Sequence, residues 1–122
     1  PEIGDLLNRA RQPFNVNSLG LAAAQVALDD EDYQVSSRSQ NAQGMQLLTG
    51  AFTRMGLDYI PSVGNFVTVD VGDDASAVYE RLLAQGVIVR PVAEYGLPRH
   101  LRVTIGLPEE NERFLATLER LV

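Results

Sequence analysis

Twice in this chain apolar and polar side chains alternate with a period of two. The first run is Phe66-Val67-Thr68-Val69-Asp70-Val71, and the second is Leu101-Arg102-Val103-Thr104-Ile105. Successive residues of a β-strand point to opposite faces, so this pattern fits strands with one face on a core and one turned away from it. Both runs therefore belong to a sheet whose two faces differ in character.

Helical spacing fills most of the remainder. Ile3, Leu6, Leu7 and Ala10 open the chain as a helical stub, and Pro13 with the polar run Asn15 to Ser18 breaks it. Ser18 is placed to cap the next helix, whose stripe is Leu19, Ala22, Ala23, Val26 and Ala27. Asp29-Asp30-Glu31-Asp32 ends that helix and starts another. Anions at a helix N-terminus are favoured by the macrodipole, so the four acids read as a cap rather than a metal cluster. The long helix that follows places Val35, Ala42, Met45, Leu48, Phe52 and Met55 on one face and stops at Gly56.

Leu57 to Ile60 reads as a short strand ended by Pro61, and Ser62-Val63-Gly64-Asn65 turns the chain into the first alternating run. Gly72-Asp73-Asp74 is a second turn, with Asp74 as cap of a helix whose stripe is Ala75, Val78, Tyr79, Leu82 and Leu83. Gly86 ends it, and Val87-Ile88-Val89 has the makings of a short buried strand. A loop marked by Pro91, Gly96 and Pro98 leads to the second alternating run. Pro108 suits a first helical turn, and Phe114, Leu115, Leu118, Leu121 and Val122 give the last helix its apolar face. The expected fold is α+β, a small and mainly antiparallel sheet covered by helices.

Composition narrows the function. A chain of 122 residues fits one domain and buries roughly two-thirds of its unfolded surface. The net charge of −6 argues against nucleic acid and anionic membranes as partners, since both need a basic face. No apolar run reaches the ~20 residues of a membrane span. With no cysteine there is neither disulfide nor thiol chemistry, which accords with a cytoplasmic location. All ten basic residues are arginine. A Schiff base on lysine is therefore impossible within this chain.

One pair of residues points to chemistry. Arg90 ends the Val87 run, and Arg102 is the second residue of the last strand. If these strands pair antiparallel, both arginines lie at the same end, and Arg102 points away from Leu101, Val103 and the core. Two adjacent cations repel, so the pair needs an anion between them or acids such as Glu94 or Asp70 beside them. Arginine's planar fork suits carboxylate and phosphate alike. His100 reads as an ordinary exposed side chain or as an acid–base group, and Tyr95 as a pocket wall or a loop cover.

Several segments resemble one family. They are Arg11-Gln12-Pro13-Phe14-Asn15-Val16-Asn17-Ser18-Leu19, Pro61-Ser62-Val63-Gly64-Asn65-Phe66, and Gly86-Val87-Ile88-Val89-Arg90-Pro91-Val92. Tyr95-Gly96-Leu97-Pro98, Leu101-Arg102-Val103-Thr104-Ile105-Gly106 and the run from Pro108 to Phe114 complete the set. In this order, from Pro1 to Val122, the chain resembles the histidinol-phosphate aminotransferases, and in particular their C-terminal small domain.

The resemblance implies a fold-type I small domain over residues 1–122, with 1–12 as the tail of a connecting helix. The family's large domain would hold pyridoxal phosphate, and the fragment itself would hold none. Arg102 would take the superfamily's anion-binding position, and Arg90 would join it on the phosphate of the substrate. Asn15 and Asn17 would lie near the active-site mouth or the dimer interface of a homodimer, while Asn65 would hold the turn before its strand. No catalytic residue and no metal ligand is implied.

The opening Pro1-Glu2-Ile3 has no methionine, and it reads as a cut from a longer chain or as a start whose methionine was removed. Two other assignments stay open. In the small domain of an aromatic aminotransferase or of a phosphothreonine decarboxylase the fold would persist, and in the former Arg102 would serve a carboxylate. In a free-standing regulatory module the arginine pair would be an effector site.

Overall fold

The computed structural model describes residues 2–11, 14–72 and 74–122. The chain divides into two compact units, residues 1–35 and 36–122. Pro13 and Asp73, expected in the first break and in the second turn, lie outside the described residues.

The first unit holds α1 (Glu2–Ala10), α2 (Ser18–Asp29) and the start of α3 (Glu31–Met55). The cap of α2 is Asn17 rather than the expected Ser18, which is already helical. Asn17 Oδ1 accepts the Gly20 N–H at 2.8 Å, and Asn17 keeps the extended backbone a cap requires. Asp30 plays the same part for α3, accepting the Tyr33 N–H at 3.0 Å. Gln34 Nε2 donates back to the Leu28 carbonyl at 2.7 Å and so closes the end of α2. No described residue of α1 or α2 is buried, so the Leu19 and Val26 stripe faces outward here.

The second unit builds the sheet. Its strands are β1 (Tyr59–Ile60), β2 (Phe66–Asp70), β3 (Arg90–Val92) and β4 (Leu97–Thr104), ordered β1-β2-β4-β3 and antiparallel at every pairing. Helix α4 (Ala75–Ala84) joins β2 to β3, and β4 returns between them. The helix α5 (Pro108–Leu118) closes the chain.

One core serves all of it. Val67 and Val69 of β2 and Leu101 and Val103 of β4 meet Leu48 and Phe52 of α3, Val78 and Leu82 of α4, and Phe114 and Leu118 of α5. Phe52 stands edge-on to Phe114 with ring centroids 6.2 Å apart. The three helices thus share one sheet face, as the alternation requires.

The buried side of α3 is narrower than its sequence stripe. Gly44, Leu48, Ala51 and Phe52 are buried, whereas Val35 and Ala42 are exposed. Gly44 is buried for a steric reason: a Cβ there would strike the Ile105 side chain and come within 2.9 Å of Asn111 Nδ2. A glycine lets the helix and the end of β4 approach this closely.

Two elements differ from expectation. Val87–Val89 is not a strand, because the Val87 N–H is drawn back to the Leu82 carbonyl at 3.0 Å as part of the α4 terminus. Gly86, at φ 73°, makes that reversal possible. Pairing begins only at Arg90, and Ile88 is 79% exposed. The expected loop from Pro91 to His100 is mostly structured: β3 runs to Val92, a single 3-10 turn spans Ala93–Tyr95, and β4 starts at Leu97.

Candidate functional site

The face of the sheet away from α3, α4 and α5 carries the polar half of each alternation. Across β2 and β4, Asp70 lies opposite His100, Thr68 opposite Arg102, and Phe66 opposite Thr104. Across β4 and β3, Arg102 lies opposite Arg90. Directly opposed residues of an antiparallel pair present their side chains on the same face. The sheet therefore sets Thr68, Arg102 and Arg90 in one cross-strand row.

The two arginines meet different surroundings. Arg102 is partly buried between the core residues Leu101 and Val103, and its guanidinium carbon lies 5.0 Å from the centroid of the Phe66 ring. The electron-rich face of an aromatic ring attracts a cation at this range. Its Nε is buried with no hydrogen-bond partner among the described residues, and Arg102 forms no ion pair among them. Buried polar atoms of this kind normally find a partner.

Arg90 is half exposed and has two partners. Its Nη2 donates to Glu94 Oε1 at 2.7 Å and to the Tyr95 hydroxyl oxygen at 3.2 Å. The 3-10 turn brings both residues back towards Arg90, and Gly96, at φ 78°, closes that turn in the left-handed region. The Glu94 hydrogen bond pushes the Arg90 pKa up, and the Arg90 guanidinium in turn holds the Glu94 carboxyl below its ordinary value.

Asp70, the other acid named for the pair, turns to Arg99 instead, at 3.2 Å from its Nε. Burial pushes the Asp70 carboxyl up, but the Gly72 amide, Arg99 and His100 together outweigh burial and hold it below its ordinary value of 3.8. His100 is partly buried rather than exposed, and its Nδ1 is buried without a partner among the described residues.

Asn15 and Asn17 belong to the first unit. Asn15 is exposed, and Asn17 is engaged as the cap of α2. The Asn65 carbonyl accepts the Ile105 N–H at 2.8 Å, which extends the β2–β4 pairing by one rung rather than holding the turn; in the turn itself Ser62 Oγ accepts the Gly64 N–H at 3.1 Å. An open cleft of about 410 Å³ lies elsewhere, among Val87, Ile88, Val89, Asn111 and Phe114, and neither Arg90 nor Arg102 lines it.

Sequence reasoning missed two contributors. The strand pattern and the Pro61 to Phe66 segment give Phe66 no part in the site, yet its ring lies beside Arg102; the signal is present, because a residue two before Thr68 shares its face. Asn111 is 3% exposed and grips Gly106 from both sides, accepting its N–H and donating to its carbonyl, each at 3.0 Å. This clamp fixes the chain just past the end of β4, four residues from Arg102.

A two-layer α+β unit with a polar second sheet face, in which Thr68 is buried and Arg102 and His100 are partly buried, defines the structural class. The chain belongs to the class I and II aminotransferases, whose family model matches residues 1–118. It is 61% identical to histidinol-phosphate aminotransferase 1 of Nitrosococcus oceani, over all 122 residues and 33% of that protein. It thus spans about a third of the length of the curated relatives it matches.

Among solved structures, histidinol-phosphate aminotransferase from Sinorhizobium meliloti in complex with pyridoxal-5'-phosphate superposes with TM-score 0.75. It is 30% identical, over all of this chain and 35% of that one. A decarboxylase from Sulfurospirillum multivorans superposes with TM-score 0.73 at 25% identity, over 98% of this chain and 36% of that one.

The S. meliloti relative was solved in complex with pyridoxal-5'-phosphate. The residues present here do not fit that group as a covalent holder, for among ten basic side chains none is a lysine.

Proposed function

We propose that this chain is the substrate-binding small domain of a histidinol-phosphate aminotransferase. The longer enzyme would transfer the amino group of histidinol phosphate to 2-oxoglutarate, giving imidazole acetol phosphate and glutamate for histidine biosynthesis. The observation that carries this reading is the cross-strand register of Arg90 and Arg102 on the polar sheet face, in a chain so similar to enzymes of that name.

In this role Arg102 and Arg90 bind the phosphate ester, whose oxygens match the guanidinium forks. Phe66 and the unpartnered Nε favour Arg102 as the fixed half of the site, and Arg90 is the adjustable half. Pyridoxal phosphate would be bound mainly by the large domain of the longer enzyme, and no chemical step falls to this chain. The Asn15 to Asn17 stretch would border the active-site mouth or the interface of a homodimer. The enzyme would be cytoplasmic, and no described helix is long and apolar enough to cross a membrane.

A second reading follows from the Arg90–Glu94 pairing. With Arg90 neutralised, Arg102 alone would serve a carboxylate, as in an aromatic aminotransferase. Transamination rates of the full-length protein with histidinol phosphate and with phenylalanine, in wild type and Arg90→Ala, separate the two. A loss of at least tenfold confined to the phosphorylated substrate supports the proposal. Equal rates for wild type and variant on histidinol phosphate overturn it. The 122-residue chain alone, given pyridoxal phosphate, histidinol phosphate and 2-oxoglutarate, is expected to show no turnover.

A further inference from the structure

Arg90 makes both of its hydrogen bonds through a single nitrogen, and its guanidinium carbon lies 5.8 Å from the centroid of the Tyr95 ring. Nη2 donates to Glu94 and to Tyr95, while Nη1 and Nε find no acceptor among the described residues. The Arg90 and Glu94 side chains are 48% and 60% exposed. No packed core holds the pair together. It is formed by a local turn that returns residue i+4 to residue i, and an ion pair in such a solvated setting exchanges readily.

The charges of the row give this pairing a meaning. Arg90 and Arg102 bring two positive charges to facing positions, where like charges destabilise a sheet. Glu94 cancels one of them. Arg102 has no acid of its own among the described residues, and Asp70 is turned to Arg99. With Glu94 on Arg90 the row carries one net positive charge, which matches a phosphate monoester poorly, since that group brings about −1.5 to −2 and three acceptor oxygens.

We propose that Glu94 is an internal competitor for the anion site, a carboxylate that occupies Arg90 when no ligand is bound and is displaced by the arriving phosphoester. The proposal rests on the phosphate-binding reading above and assigns to that site a means of lowering its own affinity. Displacement frees the whole Arg90 fork and restores two positive charges opposite a dianion. Return of Glu94 neutralises Arg90 again and favours release of a phosphorylated product. Glu94 touches Arg90 and not the reacting atoms, so it is a positioning residue and not a catalytic one.

The test is calorimetric titration of the full-length protein with inorganic phosphate at fixed ionic strength. The proteins compared are wild type, Glu94→Gln, Arg90→Ala and the double variant. Glu94→Gln is nearly isosteric at an exposed position, so folding is retained, and circular dichroism checks this. It is expected to bind phosphate three- to tenfold more tightly than wild type, and that gain should vanish in the Arg90→Ala background.

A gain that persists without Arg90 would mean that Glu94 acts only as a distant negative charge, and would overturn the competition. Unchanged or weaker binding by Glu94→Gln would overturn it as well, the weaker case making Glu94 an anchor for Arg90. If Arg90→Ala binds phosphate as wild type does, the underlying reading of the site fails instead, so the two failures are distinguishable.

Discussion

Replacing Asn111 by alanine removes one side chain and breaks two hydrogen bonds, both at 3.0 Å and both to Gly106. An ordinary intramolecular hydrogen bond contributes about 1 kcal/mol net, and a donor or acceptor left buried without a partner costs about 1–3 kcal/mol. Gly106 is only partly buried, so water can recover part of that penalty. The expected loss is therefore about 2–3 kcal/mol. With a urea m-value of about 1.2 kcal/mol/M, the unfolding midpoint should fall by about 2 M. Urea titration followed by circular dichroism reads this directly.

Asn111→Asp sharpens the test. It keeps the acceptor for the Gly106 N–H but turns a carboxylate towards the Gly106 carbonyl, so it should be destabilised at pH 7. It should approach wild type as acid protonates it and restores a donor. A loss below about 1 kcal/mol for the alanine variant would refute the clamp, since that is no more than one ordinary hydrogen bond.

Two further outcomes follow from the polar sheet face. Phe66→Leu removes the ring beside Arg102 at 5.0 Å, a cation–π contribution of about 1 kcal/mol. The KM for the anionic substrate of the full-length protein should rise about fivefold, and an unchanged KM would remove Phe66 from the site. Asp70 has a folded pKa below 3.8, so its charged form adds stability that is present above that value and is lost as pH falls through the folded pKa. Wild type should therefore exceed Asp70→Asn in urea stability at pH 6, and the gap should close as pH falls below 3.8 and through the folded pKa. A gap that widens in acid would contradict the Arg99 pairing.

The strand and helix periodicities carried most of the fold, because alternation and helical stripes report which face is buried whatever the partner. They failed where backbone pairing decided the outcome. Val87-Ile88-Val89 has the composition of a strand, yet the Val87 N–H is taken by the end of α4 and pairing starts at Arg90. Pro91 and Pro98 marked a loop, but Pro91 sits in the edge strand β3 and Pro98 in the first residues of β4, beside the register shift. Proline is tolerated in such places. At α2 the cap moved one residue, from Ser18 to Asn17, for both side chains can serve and the sequence does not fix where the helix begins.

The arginine pair shows the same division between what is local and what is tertiary. The alternation about Leu101 and Val103 required Arg102 to leave the core, and it does. Its facing residue also came out as Arg90, although the strand ending there was misplaced, because the antiparallel return fixed which end of each strand meets the other. What could not be read was the fate of each charge. Glu94 reaches Arg90 only because the chain after Val92 coils into one 3-10 turn, a choice set by Gly96 in the left-handed region and by the register shift beside it. Arg102 has no such turn next to it and rests against Phe66 of another strand. One guanidinium is thus paired by its own loop and the other is left to the sheet, an asymmetry that only the folded register produces.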